Sequence, residues 1–333
     1  MYRIGFVFLC FLQFSCSSQV ETKLNGVSFV GSRNPATQEH IETVLRVNAE
    51  CAAIMPFGFI RDVNTPTIAF DTDRQWFGET KTGAGQYITL MHENELEIML
   101  KPQLWLRGGV FTGALKMETE ENWKVLEKSY EDFILNYAHL AEEANVALFC
   151  IGTELEQFIK NRPEYWIALI KKIKTIYKGK LTYAANWDEY GRTPFWNELD
   201  YIGIDAYFPL SKERVPTVDQ FRAGWQSHKT KIKTLSDQYN KKILFTEYGY
   251  RSMEYTGEKP WLADRNQTKI SLEGQANATE AILKEFWQED WFAGGFIWKW
   301  FMDYGKSGGE DDNRFTPQNK PAEEVLRVYY ETF

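Results

Sequence analysis

Histidine and cysteine are both scarce, with four of each in 333 residues. His40, His92, His139 and His228 show no ligand spacing, so no metal is expected. No cofactor is expected either, and Val30 to Pro35, after the first strand candidate, lacks the glycine-rich phosphate loop that a doubly wound sheet would usually show there. Cys51 and Cys150 sit in apolar stretches, where a buried free thiol is commoner than a disulfide. Basic clusters are missing as well. The net charge is −8, from 46 acids and 38 bases, which argues against a nucleic-acid partner. Lys171, Lys172 and Lys174 lie beside Trp166, Ile170 and Ile173 and read as a solvated helix face. Glu310 to Asn313 reads as a solvated loop rather than a cation site. No apolar run is long enough to span a bilayer.

The first residues read as a targeting segment. Arg3 supplies a positive start, Ile4 to Leu12 a short apolar run, and Ser15-Cys16-Ser17 a lipoprotein-type cleavage site. Gln13 departs from that pattern, since an aliphatic residue is usual three before the cysteine. The expectation is a signal peptide over 1–15, a lipid on Cys16, a short tether over 16–24 and a folded domain over 25–333. Ordinary secretion is the alternative. Export to a bacterial cell envelope, with membrane attachment through the lipid, follows from the first reading.

Aromatic residues are abundant instead, at 16% of the chain, including 12 Trp. Eight short runs rich in Ile, Leu, Val and Phe read as strands buried on both faces. They are Gly26–Gly31, Ala52–Ile60, Glu97–Leu106, Ala147–Glu154, Leu181–Trp187, Tyr201–Tyr207, Ile243–Glu247 and Gly295–Trp300. Amphipathic segments alternate with them at Gln38–Asn48, Gln86–Asn94, Glu121–Ala144, Pro163–Tyr177, Val218–Tyr239, Leu272–Glu289 and Ala322–Tyr330. The connection around Thr193–Leu199 is short. This alternation predicts an α/β fold, a single-domain (β/α)8 TIM barrel. A doubly wound open sheet is the runner-up.

Two glutamates end such strands: Glu154 the fourth, and Glu247 the seventh. In a (β/α)8 barrel the C-terminal strand tips carry the active site. Two carboxylates there are the minimum equipment for cleaving a glycosidic bond. Strand parity assigns further residues to the same inner face. It groups Lys101, Gln103 and Trp105, then Gly152 with Glu154, Ala184 with Asn186, Asp205 with Tyr207, Phe245 with Glu247, and Trp298 with Trp300. Polar groups inside a barrel are expensive unless paired or used. Lys101, Asn186 and Asp205 are therefore candidates for sugar hydroxyls, although Lys101 and Asp205 also suit a buried ion pair. Trp105, Trp187, Trp298 and Trp300 are candidate stacking platforms, with plain core packing as the alternative for Trp300. Tyr207 is placed to hydrogen-bond Glu247. Carboxylates on the fourth and seventh strands approach to about 5 Å in a retaining glycosidase. Glu154 then serves as acid/base and Glu247 as nucleophile.

The chain resembles clan A glycoside hydrolases, and within the clan glycoside hydrolase family 113, known for endo-β-1,4-mannanases. The segments that carry the resemblance are Phe149 to Glu156, Ala185 to Trp187, Asp200 to Tyr207, Phe245 to Gly249 and Gly295 to Trp300. The resemblance implies a retaining β-glycosidase acting on a β-linked glycan, with the acid/base at Glu154 and the nucleophile at Glu247. One position departs: most clan members carry Asn before the acid/base, and here it is Thr153. The usual contact to the sugar 2-hydroxyl is therefore not carried over, and Asn186 is the candidate substitute. The competing class is a non-catalytic glycan-binding surface lipoprotein, which would be expected to lose one carboxylate.

Overall fold

The computed structural model describes residues 22–262 and 269–333. The expected targeting segment and Cys16 lie outside the described residues.

The chain runs β1 (Leu24–Phe29), α1 (Gln38–Leu45), β2 (Cys51–Ile54), β3 (Phe57–Ile60), β4 (Ile68–Ala69), α2 (Lys81–His92), β5 (Glu97–Leu100) and β6 (Gln103–Leu106). It continues with α3 (Glu120–Glu143), β7 (Leu148–Thr153), α4 (Glu156–Asn161), α5 (Pro163–Ile176), β8 (Lys180–Asn186), β9 (Ile202–Ala206), α6 (Val218–Tyr239), β10 (Ile243–Tyr248), α7 (Leu272–Phe286), β11 (Phe292–Trp300) and α8 (Pro321–Thr332). Eight of these strands close a parallel barrel in the order β1-β11-β10-β9-β8-β7-β5-β2. The expected (β/α)8 architecture is observed, and the first and last strands pair to seal it.

Two layers of apolar packing follow from strand alternation. Small and medium side chains such as Ala53, Met99, Cys150, Ala184 and Leu244 fill the barrel interior. Their neighbours, such as Ile98, Phe149, Tyr183 and Phe245, face the helices. Cys51 and Cys150 are both buried and free.

Two strands expected to be continuous are each broken in two. Ala52–Ile60 divides at Pro56 and Glu97–Leu106 at Pro102, because proline donates no ladder hydrogen bond. Both segments leave the barrel together. The Gln103 N–H reaches the Pro56 carbonyl (2.9 Å), and β3 and β6 then pair in parallel above the mouth. With β4 they form a three-stranded side sheet. Helix α2 begins five residues before the Gln86 expected from periodicity. Gly83 and Gly85 weaken its helical signal. Thr80 caps it by accepting the Gly83 N–H (3.1 Å), and any Cβ at Gly83 would lie 1.8 Å from the Phe77 carbonyl oxygen.

Candidate active site

Three strands carrying site residues are irregular at their C-terminal ends. Between Cys150 and Thr153, β7 spends three residues against two of β8. Between Phe245 and Glu247, β10 spends two against one of β9. Between Ile297 and Trp300, β11 spends three against two of β1. Such bulges re-aim side chains and are over-represented at barrel rims. They break the parity assumed from sequence. A Cβ on Gly152 would meet Tyr130, Trp166 and Tyr183 in the helical layer, while Glu154 lines the central cavity. Phe245 packs outward on Phe286 and Phe292, while Glu247 points in.

The cavity at the barrel mouth has a volume of about 490 Å³ and is lined by Glu154, Asn186, Trp187, Tyr207, Glu247 and Trp298. All six are candidates from the sequence, five by strand parity and Trp187 as a strand-end tryptophan. Phe111, Asp188, Trp261 and Phe315 complete it from loops that carry no periodicity to read. Trp187 stacks on Trp261 with ring centroids 4.9 Å apart, so two loops build one aromatic wall.

Glu247 is held through both oxygens. Oε1 accepts from Lys101 Nζ (2.6 Å) and Gln103 Nε2 (2.9 Å), and Oε2 accepts from the Tyr207 hydroxyl (2.6 Å). Burial, and then the Glu247 charge, hold the Tyr207 hydroxyl well above its usual range, so it stays a donor. Gln103 was placed on the right face by parity but was not proposed as a site residue.

Lys101 and Asp205 are corrected here. Both are fully buried and do not line the cavity, so neither reaches a sugar. Lys101 Nζ bridges Asp205 Oδ1 (3.0 Å) and Glu247, and Thr246 Oγ1 donates to the same Asp205 oxygen (2.7 Å). The buried ion pair is the reading that holds. Burial works against the lysine charge, but Asp205 and Glu247 outweigh it and raise Lys101 above its ordinary value. Burial and then Glu247 push Asp205 up to about 7, against the pull of Lys101 and Thr246.

Trp300 is a second correction. The β11 bulge turns it out of the mouth, where it is fully buried and its indole donates to Thr43 Oγ1 on α1 (3.2 Å). Trp105 sits on the side sheet, 47% exposed, where it borders a second cavity that also reaches Glu154, Glu247 and Trp298.

Glu154 takes a left-handed backbone, φ +49°, which is uncommon outside glycine and concentrates at functional sites. Its N–H donates to the Ala184 carbonyl (2.8 Å). The next amide, of Leu155, donates to the Tyr183 hydroxyl (2.6 Å), which donates to Glu189 Oε1 (2.7 Å). Glu189 Oε2 accepts the Asn186 N–H (3.1 Å). Glu189 therefore ties the turn carrying Glu154 to the strand end carrying Asn186. It looks like an ordinary loop acid in the sequence, yet it is 2% exposed, and burial pushes its carboxyl up to about 7. Burial, then the like charges of Asp205 and Glu247, lift Glu154 well above the usual carboxylate range, with Lys101 opposing. One carboxyl is thus kept protonated while its neighbour is held as an acceptor by three donors. That division suits acid/base and nucleophilic roles at one bond.

The model of glycoside hydrolase family 113 matches residues 30–320. The chain belongs to glycoside hydrolase family 113. It is a glycoside hydrolase of the clan A fold. The family 113 β-mannanase AaManA from Alicyclobacillus acidocaldarius, in complex with ManMIm, matches its fold with a TM-score of 0.81. Identity is 23%, over 93% of this chain and 98% of that one. A second family 113 β-1,4-mannanase matches at 0.81 and 21%, over 94% of this chain and 100% of its own. A β-glucuronidase from Faecalibacterium prausnitzii matches at 0.63 and 15%, over 94% of this chain but 49% of its own. No curated protein matches the sequence.

Proposed function

We propose that the protein is a retaining endo-β-1,4-mannanase that cleaves β-mannan or a related β-linked glycan by double displacement. The observation that carries this reading is the pair Glu154 and Glu247 on one cavity, Glu154 raised by burial and by neighbouring carboxylates and Glu247 held by three hydrogen-bond donors. Glu247, oriented by Tyr207, Gln103 and Lys101, attacks the anomeric carbon. Glu154 gives its proton to the departing glycosidic oxygen. Bond formation consumes the Glu247 charge, so the repulsion that raised Glu154 eases and its carboxylate, having given up its proton, stays ionised and available as a base. It then takes a proton from the water that releases the sugar. Trp187, Trp261 and Trp298 supply stacking faces, and Asn186 a hydrogen-bonding group beside the reacting sugar. Both carboxylates are retained, which disfavours the non-catalytic binder. The two β-mannanase neighbours, together with family membership, support mannan as the substrate class.

NMR of the first-formed reducing ends from β-1,4-mannohexaose tests the mechanism. Carboxyls about 5–5.5 Å apart leave no room for a water between them, so the β anomer is expected first. An initial α anomer overturns the double displacement.

The targeting reading extends the proposal to location: an exported enzyme held to a membrane by a lipid on Cys16, supported by Arg3, the apolar run and Ser15-Cys16-Ser17.

A further inference from the structure

The side sheet created by Pro56 and Pro102 carries a second feature that mannan cleavage does not use. Its register pairs Phe57 with Gln103 and Phe59 with Trp105. Alternation puts these four on one face, while Gly58, Ile60, Leu104 and Leu106 pack against the core. The same alternation carries each strand one step further, to Arg61 and Arg107. The Arg107 N–H still bonds to the Ile60 carbonyl (3.0 Å), so the ladder holds that far.

This face forms a surface cleft of about 630 Å³, lined by Phe59, Trp76 and Trp105 and by Arg61, Arg74 and Arg107. Trp76 and Trp105 are 42% and 47% exposed, unusually open for tryptophan. The cleft adjoins the active-site side of the barrel mouth at Trp105. Trp105 borders both it and the cavity that reaches Glu154 and Glu247, and Gln103 on the same strand touches the Glu247 carboxylate. From Gln103 to Arg107 an extended strand covers roughly 13 Å, room for a short run of sugar rings.

The charge is what sets the cleft apart. In a chain of net charge −8 it gathers three arginines. Among the described residues, no ion pair or side-chain hydrogen bond engages Arg61, Arg74 or Arg107. Glu79 is the acid that lines the cleft, and its Oε2 accepts the Trp76 N–H (3.2 Å). Nearby, Asp62 and Asp71 accept the Asn64 and Lys81 N–H groups. A fourth guanidinium, Arg33, lies over the Trp76 ring, 5.2 Å from its centroid. Aromatic faces suit sugar rings, and planar guanidiniums suit carboxylate or sulfate oxygens. A neutral glycan would leave all three without a partner.

We propose that this cleft is a distal subsite for an acidic glycan, in which Trp76 and Trp105 hold sugar rings and Arg61, Arg74 and Arg107 hold their anionic groups. The site rests on the β-glycanase reading above and narrows its substrate to chains that carry negative charge away from the bond being cut.

The test is calorimetric titration of the Glu154→Gln protein, so that chains stay intact. Three probes are used: neutral β-1,4-mannohexaose, a β-1,4-mannuronate hexamer, and sulfated mannohexaose. At low salt at least one acidic chain should bind about ten-fold tighter than the neutral one, because three exposed charge pairs together contribute modestly. Salt should shrink that preference. Adding Arg61→Gln, Arg74→Gln and Arg107→Gln should reduce it to about two-fold or less for the same reason. The carboxylated and sulfated arms show which anion the arginines take, and a preference for either supports the site. Equal binding of all three probes, or an acid preference that survives the arginine substitutions, overturns it. The parent reading is judged separately, by whether the wild-type enzyme cleaves the neutral hexamer.

Discussion

Lys101 is the residue on which the charge balance of the site turns. It neutralises one of two buried carboxylates, Asp205 and Glu247, and touches both. Lys101→Met keeps the volume and removes the charge, leaving both acids without a counter-ion. Breaking a buried pair in this way costs about 3–5 kcal/mol, which urea unfolding should register as a lower midpoint at unchanged slope. A midpoint equal to wild type would mean that the pair contributes nothing. In the proposed mechanism Glu154 works differently, through its proton. Glu154→Ala should cripple turnover of mannan chains, whose leaving group needs protonation, and spare activated aryl glycosides in the first step. Azide should restore the second step by attacking without a base. Equal losses on both substrates, without azide rescue, would remove Glu154 from the acid/base role.

At the scale of elements, strand ends matter more than strands. The bulges at the tips of β7, β10 and β11 aim Glu154, Glu247 and Trp298 inward and send Trp300 out to α1. The turn after β8 is locked by Glu189, whose loss would strand the Tyr183 hydroxyl and the Asn186 amide. Glu189→Ala should therefore cost about 2–6 kcal/mol, from two buried donors at 1–3 kcal/mol each. Glu189→Gln keeps an acceptor and should cost less. The two variants also separate by pH. A carboxyl raised from 4.5 to about 7 in the fold favours the folded state below pH 4.5. That contribution declines as pH rises toward 7, by roughly 3 kcal/mol. Glu189→Gln should flatten the fall in stability between those values, measured as chemical unfolding across the window. An unchanged pH slope would show that Glu189 is not protonated in the fold.

At the scale of the whole molecule, the closed barrel leaves one open end, and the side sheet extends that end sideways from the catalytic cavity. A long glycan can lie across such a surface, which suits an enzyme acting on a polymer. The proposed tether puts this surface beside a membrane. Mass spectrometry of membrane-extracted protein should find the mature chain beginning at a lipid-modified Cys16. An unmodified terminus at another residue would overturn the anchor.

The sequence alone determined the barrel, because strands buried on both faces must be short apolar runs and helices between them must be amphipathic. It also placed both cavity carboxylates, Glu154 and Glu247, since each follows such a run directly. The strand-end residues Asn186, Trp187, Tyr207 and Trp298 were legible for the same reason. What periodicity hides is pairing between distant segments. Lys101 meets Asp205 and Glu247 across 104 and 146 residues, and only barrel closure makes them neighbours. That is why both looked like sugar ligands and proved to be a charge bridge. Pro56 and Pro102 were visible, but that the freed ends would pair again above the mouth was not. Bulges escape as well, because one extra residue in a strand changes no composition yet reverses every side chain beyond it. Trp298 and Trp300 are two residues apart in the sequence. The tertiary structure put one in the cavity and the other in the core, because the β1 ladder skips a residue between them.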